Sequence, residues 1–411
     1  MSSGIPFLNT SLSPAARRTN SLALAFCTVA ALAEGFDNQS MGVAAPSLMA
    51  AFVLKPAQLG YVFSAATAGL FVGALLGGRA ADIWGRHGTL AASLLMFGFF
   101  SIVTAFTKDL PQLLLARFLT GLGLGSAMPN FIALAAESVG AQRRGKAVAL
   151  VSAAIPLGGA VAGVFTLGAG ASGDWRPIFY AGGAIPLCAG LLAALLLRGS
   201  PTLPGGGMLV KAKSRGVGQA LFAGKSRTTL LLWTAFLVTH LVLFSLLNWL
   251  PSLSTSLGLP RRQIGWAATS LNIGGAIGGL LVGALDRVDR RRTILMTYLG
   301  ACAAVIGLAL FGRHGVLVFV VSSFLAGLFT IGAQVILYGL APLCYPTSAR
   351  GTGVGAALAL GRFGAVIGPT LIGSLIAGGL CSEGALLSVL PFVVLGCGAA
   401  LILDSHKPAE P

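Results

Sequence analysis

Charge is what this sequence has least of. Asp, Glu, Lys and Arg together make up 9% of its 411 residues, against roughly 25% in ordinary soluble domains. Hydrophobic residues make up 55%, so there is too little polar surface to clothe a globular fold in water, and lipid must cover it instead. Acids are the scarcer sign, 11 against 27 bases, for a net charge of +16. That surplus does not indicate nucleic acid, because the bases fall in short loops between apolar runs and build no basic face with interleaved aromatics. The six cysteines, at 27, 188, 302, 344, 381 and 397, include no close pair, and four lie in apolar runs. They read as small packing residues, not as a disulfide or metal framework. Four scattered histidines complete no nucleophile–base set and no metal cluster, so neither an enzyme nor a metal or other cofactor is expected.

Long apolar runs are what the sequence holds in plenty. Twelve can be placed, over 21–46, 57–80, 88–107, 111–136, 144–169 and 177–197, then 229–251, 263–285, 293–312, 314–341, 351–377 and 384–403. Each is near or above the ~20 residues a helix needs to cross a bilayer. The expected fold class is therefore all-α, a membrane protein of twelve transmembrane helices. Arg17 and Arg18 precede the first run as in a signal peptide. That run is too long for a cleaved leader and lacks a cleavage site, so it reads as a retained span. The expected organisation is a tail over 1–20, six helices over 21–197, a linker over 198–228, six helices over 229–403 and a tail over 404–411. Gly205-Gly206-Gly207 in the linker has no Lys-Ser/Thr after it and is no phosphate loop. With the N-terminus inside, nineteen bases fall on inner loops and tails and six on outer ones, leaving Arg117 and Arg362 within spans. The positive-inside rule then places both termini in the cytoplasm, as in a multi-pass protein of the cell's inner membrane.

Two acids interrupt the first run at Glu34-Gly35-Phe36-Asp37. A helix entering at Ser21 carries Asp37 about 24 Å along its axis, and the spacing of three sets both acids on one face. At that depth an ionisable side chain is costly and is expected to face protein or a wet cavity. A carboxylate removed from water favours its neutral form, and a nearby cation opposes this. Arg117 enters the fourth run from the other side and reaches a similar depth. Asp37 is therefore expected to alternate between an ion pair with Arg117 and a protonated state. Glu34 serves either as a co-carrier or on the substrate side. The competing reading is a permanent structural pair between the first and fourth spans.

The halves repeat. Phe118-Leu119-x-Gly121-Leu122 is answered by Phe324-Leu325-x-Gly327-Leu328, 206 residues on, and the same offset pairs Arg144-Gly145 with Arg350-Gly351. Asp82-x-x-x-Arg86 is echoed by Asp286-x-x-x-Arg290. Two parallel six-helix repeats are the plan of a rocking secondary transporter, with its substrate site at midplane between them. The chain here resembles the major facilitator superfamily. Gly78-Arg79-Ala80-Ala81-Asp82-Ile83-Trp84-Gly85-Arg86-His87-Gly88-Thr89-Leu90 is similar to its loop signature between spans two and three, departing at Ile83 and His87. Within the superfamily the chain resembles the aromatic acid:proton symporters. The likeness is carried by Glu34-Gly35-Phe36-Asp37-x-Gln39, by Arg117-x-x-x-Gly121-x-Gly123-x-Gly125 with Pro129-Asn130, and by Gln334, Tyr345-Pro346 and Gly361-Arg362-x-Gly364. Glu34 departs from the usual Asp-Gly-x-Asp form and agrees with one branch.

The resemblance implies proton-coupled import of a hydroxylated aromatic carboxylate, with the proton gradient in place of a cofactor. The expected partners are that small acid, protons and the lipid bilayer, with no nucleic acid, and the chain is expected to act as a monomer. Arg362 lies about 16 Å into the eleventh span. Its guanidinium suits bidentate capture of an organic anion, with a bond to Glu34 or Asp37 as the rival reading. Phe36, His240, Phe244, Asn248, Asn272, Gln334 and Tyr338 are candidates to line the pocket, although packing or helix–helix bonding is an equal claim for each. Asp82, Arg86, Asp286 and Arg290 are expected at the inner gate, and Glu137 is expected to latch to Arg143 or Arg144. A drug:proton antiporter shares this architecture. The stretch Ala153-Ala154-Ile155-Pro156-Leu157-Gly158-Gly159 matches its Gly-x-x-x-Gly-Pro-Gly signature poorly, and Arg362 would repel cationic drugs. A membrane sensor would call for a sizeable signalling domain, which the sequence does not contain.

Overall fold

The computed structural model describes residues 14–169, 173–196, 226–260, 263–286, 288–346 and 349–405, and of 14–21, 141, 169 and 196 the backbone alone. The linker expected over 198–228, apart from its last three residues, lies outside the described residues, as do the tail segments 1–13 and 406–411.

The described residues contain no strand, and their apolar runs form α-helices. The first half holds α1 (Pro14–Phe52), α2 (Pro56–Thr104), α3 (Leu110–Glu137), α4 (Arg144–Ala169) and α5 (Arg176–Leu196). The second holds α6 (Ser226–Ser256), α7 (Ile264–Leu285), α8 (Arg290–Phe311), α9 (Val316–Leu340), α10 (Arg350–Ala377), α11 (Ser382–Leu387) and α12 (Leu390–Ser405). Ten helical stretches are long and apolar enough to cross a membrane, α11 and α12 counting together as one. One of the ten, α2, has 49 residues, about 74 Å at 1.5 Å per residue, more than twice the ~30 Å of bilayer hydrocarbon. It breaks at Gly85, whose φ of +75° suits a residue without Cβ, and so provides two crossings. Adding α1, whose apolar run is interrupted by Glu34, Asp37, Asn38 and Gln39, brings the crossings to the expected twelve.

Scarce acids end up at helix starts. Asp109 accepts from the Gln112 N–H at 2.9 Å to cap α3, and Asp289 accepts from the Arg292 N–H at 3.1 Å to cap α8. Each satisfies an N–H that the first turn leaves without a partner.

The sequence repeat is also a packing repeat. A Cβ on Gly69 would overlap the Phe118 carbonyl oxygen, and one on Gly274 would overlap that of Phe324. Gly73 meets the Leu122 carbonyl and Gly278 the Leu328 carbonyl in the same way. Lipid supplies no hydrophobic drive between helices, so close approach through small residues holds α2 on α3, and α7 on α9.

Between the halves, α1 packs on α6, α2 on α10, and α4 on α7. These contacts gather at one end. Gly60 lies against Pro369 and Thr370, Gly163 against Gly265, and Gly159 against Asn272. The Ser64 hydroxyl donates to the Val366 carbonyl at 2.6 Å, and Phe63 meets the Trp249 ring edge-on at 5.4 Å. At the opposite ends of α4 and α10, Gly145, Gly351 and Gly355 have nothing within 4 Å of where a Cβ would stand. The space between the halves therefore closes to a seam at one end and widens toward the end that carries Arg86 and Asp286.

Candidate functional site

Asp37 and Arg117 meet inside the first half. The two guanidinium nitrogens donate to the two carboxylate oxygens at 3.1 and 2.7 Å, and both side chains are 1% exposed. Ser101 adds a hydroxyl 3.4 Å from Asp37 Oδ1, and the Phe179 ring lies 5.5 Å from Arg117 Cζ. This fork-on-fork geometry uses both acceptor oxygens of Asp37. Phe36 points the same way: it is 4% exposed and packs edge-on to Phe165 at 6.0 Å. It is part of the first half's interior.

Glu34, one turn away, is bound differently. It is 2% exposed, and its Oε2 has no hydrogen-bond partner among the described residues. Its neighbour Gly35 is pressed onto the Ile155 carbonyl, which fixes α1 on α4 and aims Glu34 away from that contact. The charges of Arg362 and Asp37 both act on Glu34.

Arg362 is half-buried on α10, and its Nη2 lies 2.9 Å from Met128 Sδ on α3 in the other half. Among the described residues no ion pair holds it. The rival reading, a direct bond to Glu34 or Asp37, is absent. A thioether is a weak acceptor and leaves most of the guanidinium's five donors uncommitted.

Three further candidates assemble beside Arg362. The Gln334 amide nitrogen lies 3.0 Å from His240 Nε2 and donates to the Tyr338 hydroxyl at 2.7 Å. His240 Nδ1 is 2.9 Å from the Phe236 carbonyl, and its ring stacks between Phe236 and Phe244 at 5.8 and 6.5 Å. The charge of Arg362 acts on His240 and Tyr338, and that of Glu34 on Tyr338. Arg362, Glu34, His240, Gln334 and Tyr338 thus form one cluster drawn from α1, α6, α9 and α10.

Asn248 and Asn272 stand apart from it. Asn248 donates to the Phe244 carbonyl of its own helix at 2.8 Å. Asn272 donates to Gln39 Oε1 at 2.7 Å, and Gln39 in turn donates to the Leu247 carbonyl at 3.0 Å. Both asparagines belong to the closed seam, where an unbonded amide would be costly.

A family model for the Major Facilitator Superfamily matches residues 27–260 and 232–411. The chain belongs to the Major Facilitator Superfamily. It is a multi-pass membrane transporter and not an enzyme. It is 40% identical to a 3-(3-hydroxyphenyl)propionate transporter of Escherichia coli strain K12, over 94% of each chain. It is 33% identical to a gallate transporter of Pseudomonas putida and 32% identical to the 4-hydroxybenzoate transporter PcaK of Pseudomonas aeruginosa, covering 92% of each relative. These relatives are named as transporters of aromatic acids. Among solved structures, a bacterial homologue of the human lysosomal transporter Spinster overlays with a TM-score of 0.78 at 16% identity, covering 95% of this chain and 99% of that one. The xylose transporter XylE of E. coli overlays at 0.70 and 18%, covering 94% and 95%.

The superfamily's loop signature is only partly paired as the sequence suggests. Arg86 Nε meets Glu137 Oε1 at 3.2 Å; Arg143 and Arg144 are exposed and do not latch to Glu137. The break at Gly85 separates Asp82 from Arg86, turning the arginine toward the end of α3 and leaving Asp82 exposed. In the second half the echo closes on itself, with Arg290 Nε 2.8 and 2.9 Å from the two Asp286 oxygens. Each pair lies within one half, so neither spans the open end.

Sequence reasoning missed Ser101, Phe179 and Met128 as partners of the buried charges, and Gln39 as a bridge. Gln39, a polar residue in an apolar run two positions past Asp37, carried the one usable signal.

Proposed function

We propose that the protein imports a hydroxylated aromatic carboxylate, 3-(3-hydroxyphenyl)propionate or a close relative, by proton symport with alternating access. The observation that carries this reading is Arg362, a guanidinium between the halves with a thioether contact and no ion pair among the described residues. An organic anion is the partner that a charge at such depth requires. The names of the relatives supply the aromatic class.

Charge balance supplies the proton. Asp37 and Arg117 neutralise each other and contribute no net charge to the cavity. Arg362 and ionised Glu34 also sum to zero in the empty site. A bound carboxylate would leave an excess negative charge, which a proton on Glu34 removes. Empty and loaded states are then both neutral, and either can rock without dragging a net charge through hydrocarbon. Glu34 is therefore the proton carrier, and the Asp37–Arg117 pair fixes α1 against α3 so that Glu34 stays aimed at the cavity. With both termini in the cytoplasm, as the basic loops favour, the wide end faces inward.

Uptake of labelled 3-(3-hydroxyphenyl)propionate into cells expressing the chain is the test. Uptake is expected to collapse with a protonophore and to be competed by related hydroxylated acids. Accumulation that survives the protonophore would overturn proton coupling. Absence of uptake of any aromatic acid would overturn the substrate class.

A further inference from the structure

Gln334, His240 and Tyr338 form a hydrogen-bond chain whose direction can be read from its ends. A backbone carbonyl only accepts, so the ring nitrogen at the Phe236 carbonyl, His240 Nδ1, must carry hydrogen. In a neutral imidazole the other nitrogen then accepts. Nε2 faces the Gln334 amide nitrogen at 3.0 Å, and that nitrogen also donates to the Tyr338 oxygen at 2.7 Å. Both amide hydrogens are thereby committed. Rotating the amide would set its oxygen against the lone pair of Nε2, so the Phe236 carbonyl fixes the whole chain.

Two groups remain. The Tyr338 hydroxyl already accepts, so its own hydrogen is free to donate. The Gln334 amide oxygen takes no hydrogen bond from any described residue. Tyr338 is 41% exposed, and besides its own half's Arg362 it feels the charge of Glu34, which lies in the other half. The gap therefore offers a donor and an acceptor side by side. A carboxylate only accepts and would be repelled by the amide oxygen; a phenol hydroxyl both donates and accepts and fits the pair.

Building on the aromatic-acid reading above, we propose that Tyr338 and Gln334 read the ring hydroxyl of the substrate, while Arg362 takes its carboxylate. His240 is a positioning residue: held as the Nδ1–H form between Phe236 and Gln334, it sets the direction in which Tyr338 donates. Discrimination then arises because an acid lacking the hydroxyl leaves the donor and acceptor without partners.

The test is calorimetric binding to the purified full-length protein in detergent, using 3-(3-hydroxyphenyl)propionate and 3-phenylpropionate. The wild type is expected to bind the hydroxylated acid about tenfold more tightly, a partly exposed site standing at the lower end of such effects. Tyr338→Phe is expected to bring the ratio of the two dissociation constants close to one, by weakening the hydroxylated acid. A single symmetric peak in size-exclusion chromatography checks that the variant is folded. A variant with the wild-type ratio overturns the proposal while leaving the aromatic-acid reading intact, as does one that weakens both acids equally. Wild-type protein that binds neither acid overturns the aromatic-acid reading and this proposal with it.

Discussion

Each half of the molecule holds one arginine deep in its span, and the two are treated in opposite ways. Arg117 in the first half is paired: two bonds to Asp37, an aromatic face at 5.5 Å and 1% exposure. Arg362 in the second half is half-buried with a methionine sulfur for company. Charge in a low-dielectric region is tolerated when paired and invites a ligand when it is not. The contrast separates a charge that holds the protein together from one that waits for something else. On the function proposed above, the proton carrier is Glu34, whose Oε2 is buried without a partner, in place of Asp37, which depth and the neighbouring Arg117 favour in the sequence.

The strongest way to break the contrast is to treat both arginines alike. Arg117→Met strands a buried Asp37 and is expected to destabilise the fold by about 3–5 kcal/mol, visible as lost yield and a lower unfolding midpoint in detergent. The double variant Asp37→Asn, Arg117→Gln is expected to recover much of that loss, since no charge is left unpaired. Arg362→Lys is expected to weaken substrate binding by roughly tenfold or more, because an ammonium cannot form the two-pronged bond, with little change in unfolding midpoint. Normal affinity in that variant would remove Arg362 from the site. Glu34→Gln sharpens the comparison from the acid side. Accumulation against a gradient is expected to vanish, while exchange of labelled for unlabelled substrate persists; retained accumulation would return the proton to Asp37.

The smallest effect lies outside the spans, at the bend of α2. Burial pushes the His87 imidazole below its ordinary value, with Glu137 pulling the other way. A base with a lowered folded-state value contributes stability that is present above the unfolded value near 6.5 and lost as pH falls through the folded one. A shallow decline in unfolding midpoint on acidification below about 6.5 is expected, and His87→Gln is expected to flatten it. An identical slope in the variant would remove His87 as its source.

The span pattern, the two-half repeat and the meeting of Asp37 with Arg117 were legible because each rests on a signal within one helix or one offset. Apolar length gives a crossing; depth along two helices sets Asp37 and Arg117 level. The rotation of each helix about its axis leaves no such trace. Phe36 and Asn272 have the right chemistry and depth for a pocket, yet one turns into the first half and the other into the seam. Met128, 234 positions from Arg362, could not be found without knowing which faces of α3 and α10 oppose. Glu137 met Arg86, not Arg143 or Arg144, because Gly85 redirects the chain after its break. The sequence shows that glycine but not its angle.

The seam of glycines between the halves bears on how fast the molecule can turn over. Its members are backbone against backbone: Gly60 on Pro369, Gly163 on Gly265, Gly373 on Pro56. Close contacts of this kind are worth about 0.5–1 kcal/mol each, and no ion pair is seen among them in the described residues. Such a join can open contact by contact, with no large step anywhere along the way. On the alternating-access reading proposed above, a closure so assembled comes apart in small steps.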